Sequence, residues 1–298
     1  MATTRYEITA LCAQIRRIES IPTSNNTFTD TDLAELLNIE FQSAIVPLIQ
    51  STREEFFVTS RDFTVTLALP TITIPSDAIG MRLRDVAIVD TATNQLTYLP
   101  RISPEELTYG TSLYGYTIIG NSLVTHITNP SATIRVSYFK RPGDLSTAYG
   151  VILSKGTSNT LVMNALPTGW TTSTVVDIIS GNSPFAIVNS LTAITTIAGA
   201  TITVSAGAYA LASVGDYVAV TTTSPVPQYI PIEAHYLLIQ GAAVRCLEAL
   251  GDREGWKVAA NKYTVMSHDL LNLINPRVES QSKKIIPRNN IARAIRRG

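Results

Sequence analysis

The chain has 298 residues, 45% of them hydrophobic and only 15% charged, enough for one large domain or two smaller ones with a substantial core. Globular surfaces usually draw on about a quarter charged residues, so much of this chain is expected to be interior or covered by other subunits. Its 23 Lys and Arg balance its 23 Asp and Glu, and no apolar run reaches the roughly 18 residues of a membrane-spanning helix.

The opening MATTRYEITALCAQIRRIES lacks a continuous apolar stretch and a small-residue cleavage site, so it does not read as a secretory signal. Thr4 and Glu7 stand at capping-box spacing, and Ile8, Leu11, Ile15 and Ile18 recur at helical intervals. The connector IPTSNNTFTDTDL ends with Thr29 as N-cap, Asp32 at N3, and Phe28 and Leu33 placed as a hydrophobic staple. Leu33, Leu37, Phe41, Ile45 and Leu48 then line one stripe of a helix predicted to reach about Glu55. Pro47 interrupts that stripe, and a kink or lost hydrogen bond is predicted near Ser43, whose carbonyl the ring would strike.

From Phe56 to about Tyr138 the text alternates apolar and polar residues in FFVTSRDFTVTLALPTITIP, RLRDVAIVD, YTIIGNSLVTHI and ATIRVSYF, the pattern of strands. From Asp144 to Thr223 the charged side chains are four: Asp144, Lys155, Asp177 and Asp216. Rich in Thr, Ser, Ala, Val and Ile, that stretch is too apolar for a linker and is expected to form a second small sheet or barrel. So few charges give little protection against edge pairing, which points to cover by neighbours.

Helices return after SPVPQ, with Pro231 at the first helical position and Glu233 at N3. Tyr236, Ile239, Ala243, Cys246, Leu247 and Leu250 line one face, and Leu237, Leu238, Ala242 and Ala249 the other, so this helix must be buried on two sides. Gly251 suits a helix C′ position and Asp252 an immediate new N-cap. Trp256, Ala259, Tyr263, Met266, Leu270 and Ile274 mark the inner stripe of the last helix, which ends before Pro276. Cys12 and Cys246 lie in helical patterns far apart and read as small buried thiols.

The fold class is therefore α+β. The N- and C-terminal segments are expected to form a helical bundle, with a long inserted β-sandwich or barrel-like region and an extended C-terminal arm. The expected divisions are 1–57 helical, 58–143 a first β region, 144–224 a second Thr/Ser-rich β region, 225–276 a helical hairpin completing the bundle, and 277–298 a basic arm.

No catalytic constellation stands out. The chain has no GxxxxGK[ST] loop, no GxSxG and no HExxH. His126, His235 and His268 lack metal-ligand spacing, and the adjacent carboxylates of Arg53–Glu55 do not face one another on a helix. No enzyme activity, cofactor or metal is expected.

The last sixteen residues, KKIIPRNNIARAIRRG, carry six Lys or Arg and no acid, leaving 17 basic against 23 acidic residues, a net of about −6 for the body. Such a tail suits a nucleic-acid arm, a disordered solubilising end, or an arm that docks on an acidic protein groove. The isoleucines between its charges are unnecessary for phosphate neutralisation and useful for docking.

Several stretches together resemble head-to-tail adaptor (connector) proteins of tailed bacteriophages: IPTSNNTFTDTDLAELLNIEFQSAIVPLIQSTREEFFV, IGMRLRDVAIVD, YFKRPGDL, GDYVAV, VPQYIPIEAHYLLIQGAAVRCLEALGDREGWKVAANKY and LLNLINPRVE. The likeness covers both helical ends and much of the first β region, and is weak from Asp144 to Val214. It implies a non-enzymatic virion protein, assembled in the host bacterial cytoplasm, that forms a dodecameric ring of identical copies. The ring would join the capsid portal to a downstream tail or nozzle protein and pass genomic DNA without sequence recognition. It also implies a portal contact by the arm, through Lys283, Lys284, Arg288, Arg293, Arg296 and Arg297, with Ile285, Ile286, Ile291 and Ile295 as anchors. A helix apolar on both sides suits packing between subunits, a charge-poor β surface suits occlusion, and a negative body suits a channel in which DNA slides. The alternative is a virion-associated receptor- or glycan-binding β module built on 144–224, which clustered exposed aromatics would favour, but Trp170, Phe185 and Tyr209 are scattered along the sequence.

Overall fold

A computed structural model of the chain describes residues 6–18, 28–103, 114–128 and 131–275. It is 34% helix and 35% strand, an α+β chain.

Helix α1 (Ile8–Ile18) buries Ile8, Leu11, Cys12 and Ile15, while Ile18, expected on the same stripe, is exposed at the helix end. Thr4, the expected cap, lies outside the described residues. Near the end of α1, Arg16 is itself buried; it donates to the Phe28 carbonyl at 2.7 Å and pairs with Asp30 at 2.8 Å, tying α1 to the start of the next helix. Helix α2 (Asp30–Glu40) has the full capping box, with Thr29 Oγ1 accepting from Asp32 N–H and Asp32 accepting from Thr29 N–H at 2.7 Å. Phe28 and Leu33 lie in the same buried cluster, as a staple requires.

Proline 47 is accommodated by one wide turn. The chain passes through a π segment (Phe41–Ile45) into α3 (Val46–Thr52), with Val46 N–H bonding the Phe41 carbonyl five residues back. The lost hydrogen bond thus becomes a π bulge inside a continuous helical path, one of the few structural causes of such distortions. A 3₁₀ turn (Glu54–Phe57) follows and leads into the strands.

The first β region contains β1 (Val58–Thr66), β2 (Thr71–Thr73), β3 (Ala78–Val89), β4 (Leu96–Tyr98), β5 (Gly115–Ile119), β6 (Ser122–His126) and β7 (Ser131–Lys140). They form a four-stranded sheet, β1-β7-β3-β4, and a three-stranded one, β2-β6-β5, all antiparallel. One buried cluster draws Val65, Val86 and Ile134 from the first sheet and Ile72, Tyr116 and Leu123 from the second. Strand β3 departs from regular pairing: Ala78 opposes Lys140 and Leu83 opposes Tyr138, so Ile79–Arg82 loop out, with Gly80 and Met81 at positive φ.

The second β region adds β8 (Asp144–Leu145), β9 (Tyr149–Lys155), β10 (Thr160–Met163), β11 (Val175–Ile179), β12 (Ile187–Ala193), β13 (Thr196–Ala198), β14 (Thr201–Thr203), β15 (Tyr217–Val220) and β16 (Thr223–Ser224). Seven of these make one sheet in the order β12-β11-β15-β9-β10-β14-β13, while β8 and β16 pair in parallel. A short helix, α4 (Ala206–Leu211), capped by Ser205, packs Ala208 into the core of that sheet. It was not predicted.

Three of the four charges of this region are structural rather than solvating. Lys155 Nζ donates to the carbonyls of Tyr209 and Ala212, at 2.6 and 2.7 Å, where α4 ends, and lies 4.3 Å from the centroid of the Tyr209 ring. Asp216 is buried and accepts from Gly181 N–H and Ser213 N–H at 3.0 and 2.8 Å. Asp177 is buried and accepts from Leu191 N–H and the Thr221 hydroxyl at 2.8 and 3.0 Å.

Helix α5 (Ile232–Leu250) begins after Pro231, which is its N-cap rather than its first helical residue, a one-position shift from the prediction. It ends at Gly251 with φ 73°, and Asp252 caps α6 (Arg253–Ile274) by accepting from Gly255 N–H at 3.0 Å. The central helix α5 packs against α1, α2 and α6. Ile8, Leu37, Phe41, Leu238, Cys246 and Leu270 share one buried cluster, so helices from both ends of the chain have a common core. Cys12 and Cys246 are both buried, and burial pushes the Cys12 thiol up to about 12.

One expectation is corrected here. The two apolar sides of α5 do not wait for neighbouring copies along most of their length: Leu237, Leu238, Ile239, Ala242, Ala243 and Cys246 are buried within the chain, while Tyr236, Ala249 and Leu250 stay exposed. Folding brings α1 and α2 to a helix some 200 residues downstream, a pairing that helical periodicity cannot reveal.

Candidate docking surfaces

Two buried carboxylates fasten the helical unit. Glu40, at the end of α2, receives Arg245 Nε of α5 at 2.7 Å and a hydrogen bond from Tyr263 of α6, and it occupies the space beside Gly241. Glu7, just before α1, accepts from Tyr149 Oη of β9 at 2.8 Å and Tyr217 Oη of β15 at 3.1 Å. The second contact joins the helices to the second β region. Arg53 donates to the Ile274 carbonyl at 3.3 Å, where α6 stops.

The outward side of α6 is the clearest unfilled surface of the helical unit. Only Ala259, Leu270 and Ile274 of its 22 residues are buried, with Tyr263 and Met266 half-buried against the core. Val258, Val265 and Leu273 are 71%, 61% and 63% exposed. Spaced by seven and eight residues, they share a helix face with Lys262 and Asp269. Trp256, expected on the inner stripe, is 39% exposed.

A groove of about 600 Å³ runs between α1 and α5, bordered by Ala10, Ala13, Ile18, Tyr236 and Ile239 and floored by His235. His235 Nδ1–H donates to the carbonyls of Pro231 and Ile232 at 3.2 and 3.1 Å, leaving Nε2 buried without a partner among Tyr6 and Phe185. Burial lowers its pKa from 6.5 to about 4, against the weaker opposing pull of the Pro231 and Ile232 carbonyls and Glu233. Below pH 6.5 the unfolded chain takes up a proton that the folded chain resists. Stability is therefore complete above pH 6.5 and falls by about 3 kcal/mol as the pH drops toward 4. The stability advantage of the wild type over His235→Gln should shrink by that amount between pH 7 and pH 4 in denaturant titrations; an advantage that stays constant would place the histidine's titration elsewhere.

A third feature is a cavity of about 350 Å³ where the two β regions meet, walled by Asp77, Lys140, Asp177, Leu191, Thr222 and Gln228. The other histidines have local roles: His126 Nε2 lies 3.2 Å from Thr117 Oγ1, and His268 Nδ1 lies 3.0 Å from Asn272 Nδ2. Among the described residues no group of His, Cys, Asp or Glu is arranged to hold a metal, and no helix is long and apolar enough to cross a membrane.

The residues predicted to meet a portal, Lys283, Lys284, Ile285, Ile286, Arg288, Ile291, Arg293, Ile295, Arg296 and Arg297, lie outside the described residues. The aromatics considered for glycan stacking do not form an exposed platform: Phe185 is buried, and Trp170 and Tyr209 pack against the core of the seven-stranded sheet. Neither the protein-family models nor the curated proteins contain a match to this chain.

Proposed function

We propose that this chain is a non-enzymatic structural protein of a tailed-phage virion, an adaptor that closes into a ring between the capsid portal and the tail. In this reading the helices pack side by side around a DNA channel as a bundle, and the β regions form a sandwich- or barrel-like body facing the next tail component. The basic arm, 277–298, leaves the end of α6 and docks on the portal. Genomic DNA passes the channel without being read, and a body of net negative charge suits that passage, because a strongly basic lumen would hold the duplex through counterion release.

The observation that carries this reading is the outer face of α6. A row of valines and a leucine on a long helix costs solvation that a lone chain does not recover, and identical copies can recover it. A ring needs two different complementary patches on each subunit, and the groove between α1 and α5 supplies a concave counterpart to the convex α6. The resemblance to connectors of tailed phages supports the same assignment.

The test is particle imaging and light scattering of the full chain. A closed ring with rotational symmetry is expected, and Val258→Asp with Val265→Asp should give a folded monomer. A wild-type protein that stays monomeric at all concentrations would end the proposal. Truncation after Val278 should leave a folded protein that no longer joins portal-bearing capsids; normal attachment would remove the arm from this role.

A further inference from the structure

The cavity between the two β regions has features that structural packing alone leaves unexplained. Gln228 is fully buried; its Oε1 accepts from Gly143 N–H at 2.9 Å, yet its Nε2, with two hydrogens, has no partner. Buried amide donors are almost always satisfied, and one left open marks a missing acceptor. Lys140 Nζ, on a side chain only 12% exposed, stands 3.9 Å from Asp77 Oδ2, close enough for attraction but too far for a hydrogen bond.

Two strained positions lie on the same walls. Leu191 sits at φ 57° and Thr222 at φ 77°, conformations that are costly for a bulky and a β-branched residue. Both are held through the buried Asp177, which accepts from Leu191 N–H and from the hydroxyl of Thr221 beside Thr222. A carboxylate that pins a strained strand position and a strained turn around an open donor is the arrangement of a preorganised pocket.

Charge decides what fits. The inner groups balance: Arg61 and Lys140 against Asp77 and Asp177, with Arg61 bonded to Asp77 at 3.0 Å. An anion would face the two aspartates, and a cation would face the arginine and lysine. A neutral group that both donates and accepts can satisfy each side, receiving hydrogen bonds from Gln228 Nε2 and Lys140 Nζ and donating to Asp177. We propose that this cavity binds a neutral polyhydroxylated ligand, a single sugar or polyol unit, held by hydrogen bonds rather than by aromatic stacking. The site stands on the cavity alone and requires no ring.

The experiment is a calorimetric and saturation-transfer NMR titration of the full chain with glucose, galactose, N-acetylglucosamine and mannitol. Succinate, inorganic phosphate and putrescine serve as charged comparators. At least one neutral probe should bind saturably and about tenfold more tightly than any charged one. Lys140→Met keeps the aliphatic stem without the ammonium, and Gln228→Glu keeps the oxygen that Gly143 needs without the donor; each should weaken binding by about tenfold. Should either variant fail to fold, amide shift changes in the wild-type chain provide the second readout, and they should centre on Lys140, Leu191 and Gln228. Absence of saturable binding by every neutral probe, preference for a charged probe, shifts centred elsewhere, or unaltered binding by folded variants would each overturn the assignment.

Discussion

Replacing Gly241 by alanine should lower the unfolding free energy by about 2–3 kcal/mol, although alanine is the better helix former by roughly 1 kcal/mol. The loss has a single steric source. A Cβ on Gly241 would run into the Glu40 side chain, 2.5 Å from Cδ and 2.6 Å from Cγ. An exposed glutamate would swing aside, but Glu40 is buried and held by Arg245 and Tyr263. The check is a double-mutant cycle in denaturant. In a Glu40→Ala background the same Gly241→Ala change should become neutral or stabilising, because the obstruction is gone. An equal cost in both backgrounds would show that the glycine is needed for something other than room for Glu40.

The second large effect is expected at Glu7. Glu7→Ala should cost about 2–4 kcal/mol, because it takes the shared acceptor from two phenol hydroxyls, Tyr149 half-buried and Tyr217 buried. Tyr149→Phe removes one donor and leaves the carboxylate with Tyr217, so about 1 kcal/mol is expected there. Besides the melting temperature, the informative readout is hydrogen exchange. If Glu7 fastens the helices to the second β region, Glu7→Ala should raise exchange in β9 and β15 ahead of the helical core. Uniform acceleration throughout the chain would mean that the contact has no such local role.

Both residues show where sequence reading stops. Features set within a few residues were legible: the Thr29 and Asp32 capping box, the distortion imposed by Pro47, the Gly251–Asp252 turn and the alternation of β1 and β7. Each follows from backbone chemistry or from one period of side-chain spacing. The partners of Glu40 and Glu7 lie more than 140 positions away, and nothing local distinguishes these glutamates from solvated ones. The two-sided apolar pattern of α5 was visible, but whether its cover came from the same chain or from another copy was not, since periodicity reports how much surface is buried and not what buries it. Helix α4 escaped because its six residues, AGAYAL, are too few to establish a period. The cavity was equally hidden, assembled from Asp77, Lys140, Asp177 and Gln228 on four separate segments. The rarity of charge between Asp144 and Thr223 did carry a usable hint. Where so few ionised side chains survive, each one has a job, and three of the four prove to be anchored to backbone groups.

The parallel contact of β8 with β16 has a consequence for how this molecule could change over generations. Asp144 lies beside Thr223 and Leu145 beside Ser224, so the polypeptide departs from and returns to almost the same point. Everything between those pairs can grow, shrink or be traded for another without moving the helices outside it, provided two ties are replaced: the Glu7 clasp, and the packing of Phe185 on His235 with the Tyr229 N–H bond to the Pro184 carbonyl. A framework of this kind lets one part diversify rapidly while the remainder stays constrained.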